Sequence, residues 1–251
     1  MKKGFTTQVA VLFLCTSTFS NAKVEQTDLQ HITSDLVAPT EIPRIHKPIT
    51  IDGHINEAIW TKARRFLVNN VTFPHENIPS PVQTEAFMME DGENLYVAFK
   101  AYDPEPHKIR AFLSDRDKNW NDDLVGLKID SFNDDTLAYQ FFINPLGTQT
   151  DSIENALTGR ESSSWNGIWD SAGMITEFGY TVEIAIPLRI LNFNDRLDIQ
   201  QWGYELVRFY PRDERLRLSN AKMDQGQDCW VCQMPTLQGF RGAKQGNNLT
   251  V

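Results

Sequence analysis

The sequence predicts an all-β fold: a two-sheet antiparallel β-sandwich, jelly-roll-like, with one or two short helices. Three observations carry this. Short apolar runs alternate with period two, and Gly, Pro, Asn and Asp interrupt them at short intervals. No stretch sustains the 3.6-residue apolar repeat of a long helix. The pattern begins at Ile42 and runs for about 200 residues, a length at which a single sandwich domain is common.

Each element follows from its local pattern. Residues 56–63 read as a short helix capped by Asp52 or Asn56. Residues 84–90, the turn Asp91-Gly92-Glu93-Asn94 and residues 95–102 form the clearest hairpin. In its second strand Leu95, Val97, Phe99 and Ala101 share one face. Residues 124–130 put Val125, Leu127 and Ile129 together. Residues 136–144 stop at Pro145-Leu146-Gly147, and 149–153 return as a second hairpin. Residues 168–176, 180–187 and 201–210 complete a set of about eight strands, enough for two packed sheets.

The two ends read differently. Lys2 and Lys3, the apolar run of residues 9–15 and Ser20-Asn21-Ala22 form a secretory signal over residues 1–22. The run is too short to span a bilayer. Residues 23–41 read as a flexible leader, 42–240 as the sandwich, and 241–251 as a C-terminal tail or linker. The expected setting is exported: periplasmic, outer-membrane-associated or secreted.

Composition removes other classes. Hydrophobic residues make up 41% and charged residues 23%, which excludes wholesale disorder and a polytopic helical membrane protein. The net charge is −9, and the chain after residue 22 is more acidic still, because residues 1–22 hold two lysines and no acid. Nucleic acid is therefore not an expected partner, since phosphate contacts need a basic face.

Cys229-Trp230-Val231-Cys232 is a C-x-x-C followed by Gln233, which excludes c-type haem attachment. With no second C-x-x-C for zinc, the expectation in an oxidising compartment is a Cys229–Cys232 disulfide. Glu183 and Arg208 are charges inside apolar strands; they form either a cross-strand ion pair in a concave face or part of a cleft. Glu183 with Asp123 as a glycosidase pair has no further sequence support. Serine-nucleophile, phosphate-loop and H-E-x-x-H patterns are absent.

Five segments, in order, carry a family resemblance. They are Ile49-Thr50-Ile51-Asp52-Gly53-His54-Ile55-Asn56-Glu57-Ala58-Ile59-Trp60; Glu93-Asn94-Leu95-Tyr96-Val97-Ala98-Phe99 ending at Asp103-Pro104; Trp120-Asn121-Asp122-Asp123-Leu124-Val125 with Ile129-Asp130; Gly179-Tyr180-Thr181-Val182-Glu183-Ile184-Ala185-Ile186-Pro187; and Trp202-Gly203-Tyr204 to Arg208. Together they resemble the family 9 carbohydrate-binding module over about residues 42–240. The resemblance also extends to the type of such domain found in front of outer-membrane β-barrels, with residues 239–251 reading as a linker.

The resemblance implies non-catalytic binding of an oligo- or polysaccharide in glycan capture or catabolism, with an outer-membrane barrel as a possible partner. Sugar binding needs an aromatic face for the ring and polar groups at its edge. The resemblance places the main stacking platform at Trp120; beside it the sequence offers Asp122, Asp123, Gln140, Asn144 and Arg208 as polar contacts and Trp165 and Trp230 as further aromatic faces, while Trp60, Trp169 and Trp202 read as core. Structural calcium, held by Asp103, Asp123 and Asp130, is implied by analogy with some members. The chain departs from the family at two positions: Gly126 stands where sugar-binding members often have a carboxylate, and Phe142 where they carry an arginine. Two rival readings are an assembly domain docking on a barrel, and a haem-binding redox sandwich. No haem is expected, because Met88, Met89 and His107 match no ligand pattern.

Overall fold

The computed structural model describes Met1 and residues 38–246. The signal segment 1–22 and most of the leader lie outside the described residues. Fifteen strands in two sheets make up the described domain.

In chain order the strands are β1 (Thr40–Glu41), β2 (Arg64–Leu67), β3 (Asn70–Phe73), β4 (Ile78–Pro79), β5 (Thr84–Glu90), β6 (Asn94–Tyr102), β7 (Leu124–Asp130), β8 (Leu137–Ile143), β9 (Gln149–Asn155), β10 (Arg160–Ser162), β11 (Asp170–Thr176), β12 (Gly179–Pro187), β13 (Gln200–Pro211), β14 (Arg215–Ser219) and β15 (Thr236–Gly239). The larger sheet runs β10-β9-β8-β7-β13-β14-β3-β4, with β15 beside β13 and β1 beside β15. The smaller sheet runs β11-β12-β6-β5-β2. Strands pair antiparallel throughout, except that β1 lies parallel to β15.

Alternation builds the core as expected. Val125, Leu127 and Ile129 of β7, Phe141 and Ile143 of β8, and Trp202 and Leu206 of β13 face Leu95, Val97, Phe99, Val182 and Ile184 of the smaller sheet. A second apolar cluster covers the other face of the smaller sheet, where Trp60 packs with Ile45, Met89, Tyr96, Ala98 and Ala185. Its cover is the segment around the 3-10 turn Ala58–Lys62. That turn replaces the capped helix expected over 56–63: Glu57 precedes it without a side-chain cap, and Asp52 caps its own turn through the N–H of His54 (2.8 Å).

The domain's ends are drawn into the fold. Thr40–Glu41, expected in the leader, pair with Leu237 and Gln238. Residues beyond 240 continue to pack: Phe240 stacks on Trp202 at 4.0 Å, Ala243 is buried, and the N–H of Gly242 donates to the carbonyl of Asp198 (2.8 Å).

Candidate functional site

Residues of β7 that do not face the core point out of the larger sheet, and the register aligns them with their neighbours. Ser152 of β9, Gln140 of β8, Lys128 of β7 and Glu205 of β13 stand side by side in one row. All four are buried although they lie on the sheet's outer face. Buried polar groups need partners. Lys128 Nζ meets Glu154 Oε2 at 2.5 Å. Gln140 Nε2 donates to Glu154 and to Glu161, both at 2.9 Å. Arg217 of β14 donates to Glu205 Oε2 at 2.7 Å and to Thr72 Oγ1 at 2.9 Å. Burial pushes the Glu205 carboxyl up, but the charges of Arg217 and Lys128 outweigh it and hold it below the usual range. The hydroxyl of Ser152, at the end of the row, has no hydrogen-bond partner among the described residues.

Above this row Trp230 lies over the Arg217 guanidinium, 4.9 Å from ring centroid to charge. The Cys229–Cys232 disulfide brackets the ring, with Cα atoms 5.5 Å apart. Trp230, Arg217, Lys128, Glu154, Glu161 and the exposed Phe73 line a groove of about 260 Å3. It offers an aromatic plane beside two carboxylates and two cations, with the Gln140 amide in the row next to it.

Farther along the same face, Trp120 sits half-buried against Phe142 (5.6 Å) and Phe209 (6.4 Å), and Arg215 lies over Phe209 at 4.6 Å. Gly126 is opposite Phe142 in the register. A Cβ at 126 would fall 2.0 Å from the Phe141 carbonyl oxygen and 2.6 Å from the Phe142 ring. The two family departures are thus one packing arrangement. The ring has taken the space over a glycine.

Other expected site residues are engaged in holding the loops. Asp122 accepts from the N–H of Phe112 (3.1 Å) and from Asn144 Nδ2 (2.9 Å), while Asn144 Oδ1 accepts from the N–H groups of Leu146 and Thr148. Asp123 accepts from the N–H of Arg110 and from Arg212. Arg212 also pairs with Asp103, so Asp103 and Asp123 share a guanidinium where a cation was expected. Asp130 lies at the far end of β7 and caps the turn through Phe132, Asn133 and Asp135. The three expected calcium ligands do not converge, and among the described residues no three His, Cys, Asp or Glu side chains form a metal-sized cluster. Trp165 packs inward on Tyr139 (5.0 Å) and Phe141 (5.7 Å).

Arg208 and Glu183 do not pair. Arg208 is fully buried between the sheets, donating to the Tyr102 carbonyl and Thr84 Oγ1 (both 2.9 Å) near Asp103. Glu183 lies on the outer face of the smaller sheet, where Trp60 Nε1 (2.8 Å) and the N–H groups of Gly53 (2.9 Å) and Asp52 (3.1 Å) donate to it. It is therefore remote from Asp123 and its pairing with Arg212. Met88 faces the core, Met89 the opposite cluster, and His107 is exposed, so the three do not share a site.

A family model, described as carbohydrate family 9 binding domain-like, matches residues 51–223. The chain belongs to that family. Three solved structures share the fold. A candidate carbohydrate-binding protein from Bacteroides uniformis has a TM-score of 0.62 at 13% identity, covering 80% of this chain and 98% of its own. A family 9 carbohydrate-binding module from Caldicellulosiruptor kristjanssonii, solved in complex with cellotriose, has a TM-score of 0.56 at 14% identity, covering 84% and 98%. The glucose complex of such a module from that organism gives the same score and identity, covering 84% and 99%. No curated protein matches the sequence.

Most of the groove of this family 9 domain was missed by sequence reasoning, which named Trp230 of its lining but not Lys128, Glu154, Glu161, Arg217 or Phe73; of the row beside it, Gln140 was named and Glu205 was not. A signal was there. Lys128, Glu205 and Arg217 each sit between two apolar residues of an alternating run, as Glu183 and Arg208 do.

Proposed function

We propose that this family 9 domain binds carbohydrate without catalysing a reaction, and that the sugar seats in the groove beneath Trp230 on the outer face of the larger sheet. The observation that carries this is Trp230 set over Arg217 beside the row Gln140–Lys128–Glu205 and its partners Glu154 and Glu161. A pyranose has an apolar face for the indole and edge hydroxyls for carboxylate, amide and ammonium groups. Family membership supports the reading, as do the cellotriose and glucose complexes of the Caldicellulosiruptor module. The buried Ser152 hydroxyl is a further group that a ligand or water would satisfy.

The envelope setting is part of the same proposal. The signal-like residues 1–22 support it, and so does the Cys229–Cys232 disulfide, since such bonds persist in oxidising compartments. Capture of glycan for catabolism beside an outer-membrane barrel is the role this setting fits.

Calorimetric titration of the purified protein with glucose, cellotriose and a panel of soluble glycans tests the reading. Binding by the wild type, weakened about tenfold by Trp230→Ala with the melting temperature preserved, is the expected result. A wild type that binds no glycan overturns it.

A further inference from the structure

A second cleft, of about 660 Å3, shares no lining residue with the Trp230 groove. It opens between the edges of the two sheets. On one side stand β1, β15 and the turn at Phe240–Arg241; on the other stand the 3-10 turn Ala58–Lys62 and the start of β2. Its volume falls within the roughly 300–1,000 Å3 of small-molecule sites.

The charge of this cleft runs against that of the chain. Arg44, Lys62, Arg64 and Arg241 line it against Glu41 and Glu90, on a protein of net charge −9. Two of the cations are already matched. Arg44 lies 3.8 Å from the buried carboxylate of Glu90 and donates to the Arg241 carbonyl at 2.7 Å. Arg241 pairs with Asp198. Lys62 and Arg64 are exposed and form no ion pair with a described residue. Alternation along β2 explains where Arg64 goes. Arg65 turns outward to Glu85, while Phe66 turns inward against Tyr204 (5.5 Å), so Arg64 takes the inward side at the mouth between the sheets. A cleft with walls of low dielectric concentrates the field of such unmatched charges.

The rest of the lining is that of a sugar site more than of a bare-anion site. Glu41 is exposed, makes no ion pair with a described residue and can accept hydroxyls. Gln238 uses its Oε1 to accept from Gln201 (3.1 Å), which leaves its NH2 group as a donor. Ile199, exposed, offers an apolar surface to ring C–H groups. We propose that this cleft is a second binding site that takes an acidic sugar residue, with its carboxylate between Lys62 and Arg64 and its ring hydroxyls on Glu41 and Gln238. The charge argument stands apart from the carbohydrate reading of the outer face; only the choice of a sugar ring leans on it.

Calorimetry with three probes tests the site: a galacturonate trisaccharide, neutral cellotriose and inorganic phosphate. Each is titrated into the wild type, Lys62→Glu/Arg64→Glu and Trp230→Ala. The uronate trisaccharide should bind the wild type and lose tenfold or more in affinity, on the order of a charge-assisted contact, in the double charge variant and at raised salt. It should be indifferent to Trp230→Ala. Cellotriose should show the opposite pattern. The double variant keeps its melting temperature, because both side chains are exposed and neither is ion-paired with a described residue. Uronate binding that survives the double variant, or that is lost in Trp230→Ala, overturns the proposal, as does a wild type that ignores uronate. Phosphate binding as tightly as the trisaccharide overturns the sugar assignment. Uronate binding without cellotriose binding would sink the outer-face reading while leaving this one standing.

Discussion

Gly126 and Phe142 face each other across β7 and β8, and the ring of one occupies the space above the other. The nearest obstacle to a side chain at 126 is the Phe141 carbonyl oxygen, which belongs to the backbone and not to a movable ring. Gly126→Ala should therefore destabilise the domain by about 1–3 kcal/mol or more, as overpacking does. Truncating Phe142 to Ala in the same chain should not recover that loss. Chemical denaturation of the single and double variants checks this. Restoring a family-like carboxylate by Gly126→Glu is expected to cost stability without improving sugar affinity.

Trp120 and Trp230 divide the aromatic surface between packing and binding. Trp120 leans on Phe142 and Phe209. Trp120→Ala should lower stability, by less than the 3–5 kcal/mol of a fully packed ring because the indole is half-buried. Its effect on sugar affinity should be smaller than that of Trp230→Ala. Melting curves and titrations on the two variants give the comparison, and a larger affinity loss at Trp120 would relocate the main stacking platform.

The disulfide closes a four-residue loop whose second member is Trp230. Holding that ring in place before the sugar arrives spares an ordering cost of about 0.5–1.5 kcal/mol per side chain. Cys229→Ser/Cys232→Ser should weaken sugar binding by roughly threefold to tenfold. Full affinity in the double serine variant would show that the bond leaves the ring's freedom unchanged.

Glu183 gives the fold a pH dependence of known sign. Burial pushes its carboxyl up to about 7, against the pull of the N–H donors from Asp52, Gly53 and Trp60 toward the ionised form. The folded value lies above the ordinary 4.5, so the native state favours the proton. The contribution to stability is fully present below about pH 4.5 and is lost as pH rises through about 7. Stability measured between pH 5 and pH 8 should fall in the wild type by more than in Glu183→Gln, whose side chain does not titrate. Identical pH profiles in both proteins would contradict this assignment.

Strands whose apolar alternation is uninterrupted were legible with almost no error: residues 124–130 are β7, and the 84–102 hairpin is β5–β6. Strands rich in arginine were not. β2 begins Arg64-Arg65, and β14 alternates Arg215, Leu216, Arg217 and Leu218, so their charges hid the period. Period two says which residues share a face but not which face is inside. On β13, Val207 and Phe209 look like the core side, yet they point outward, Phe209 against Trp120 and Phe142, while Arg208 points inward. The counter-charge that makes this tolerable, Asp103, arrives from the end of the other sheet. Such partners become visible only when distant segments meet. The same holds for the groove and the row beside it, where Lys128, Glu205 and Arg217 come from three strands and depend on their register.

The parallel pairing of β1 with β15 has a mechanical meaning. The described domain is entered just before β1 and left shortly after β15, and the two strands run the same way. Tension between those points draws β1 toward its own start and β15 toward its own end, so their hydrogen bonds are loaded together in shear and do not open one after another. The contact from Arg44 to the Arg241 carbonyl lies across the same seam and shares the load. Single-molecule stretching between residues 38 and 246 should meet its main resistance at this seam, and Arg44→Ala should lower the rupture force. A pull applied at the two ends of the described domain thus grips it where it is hardest to unzip.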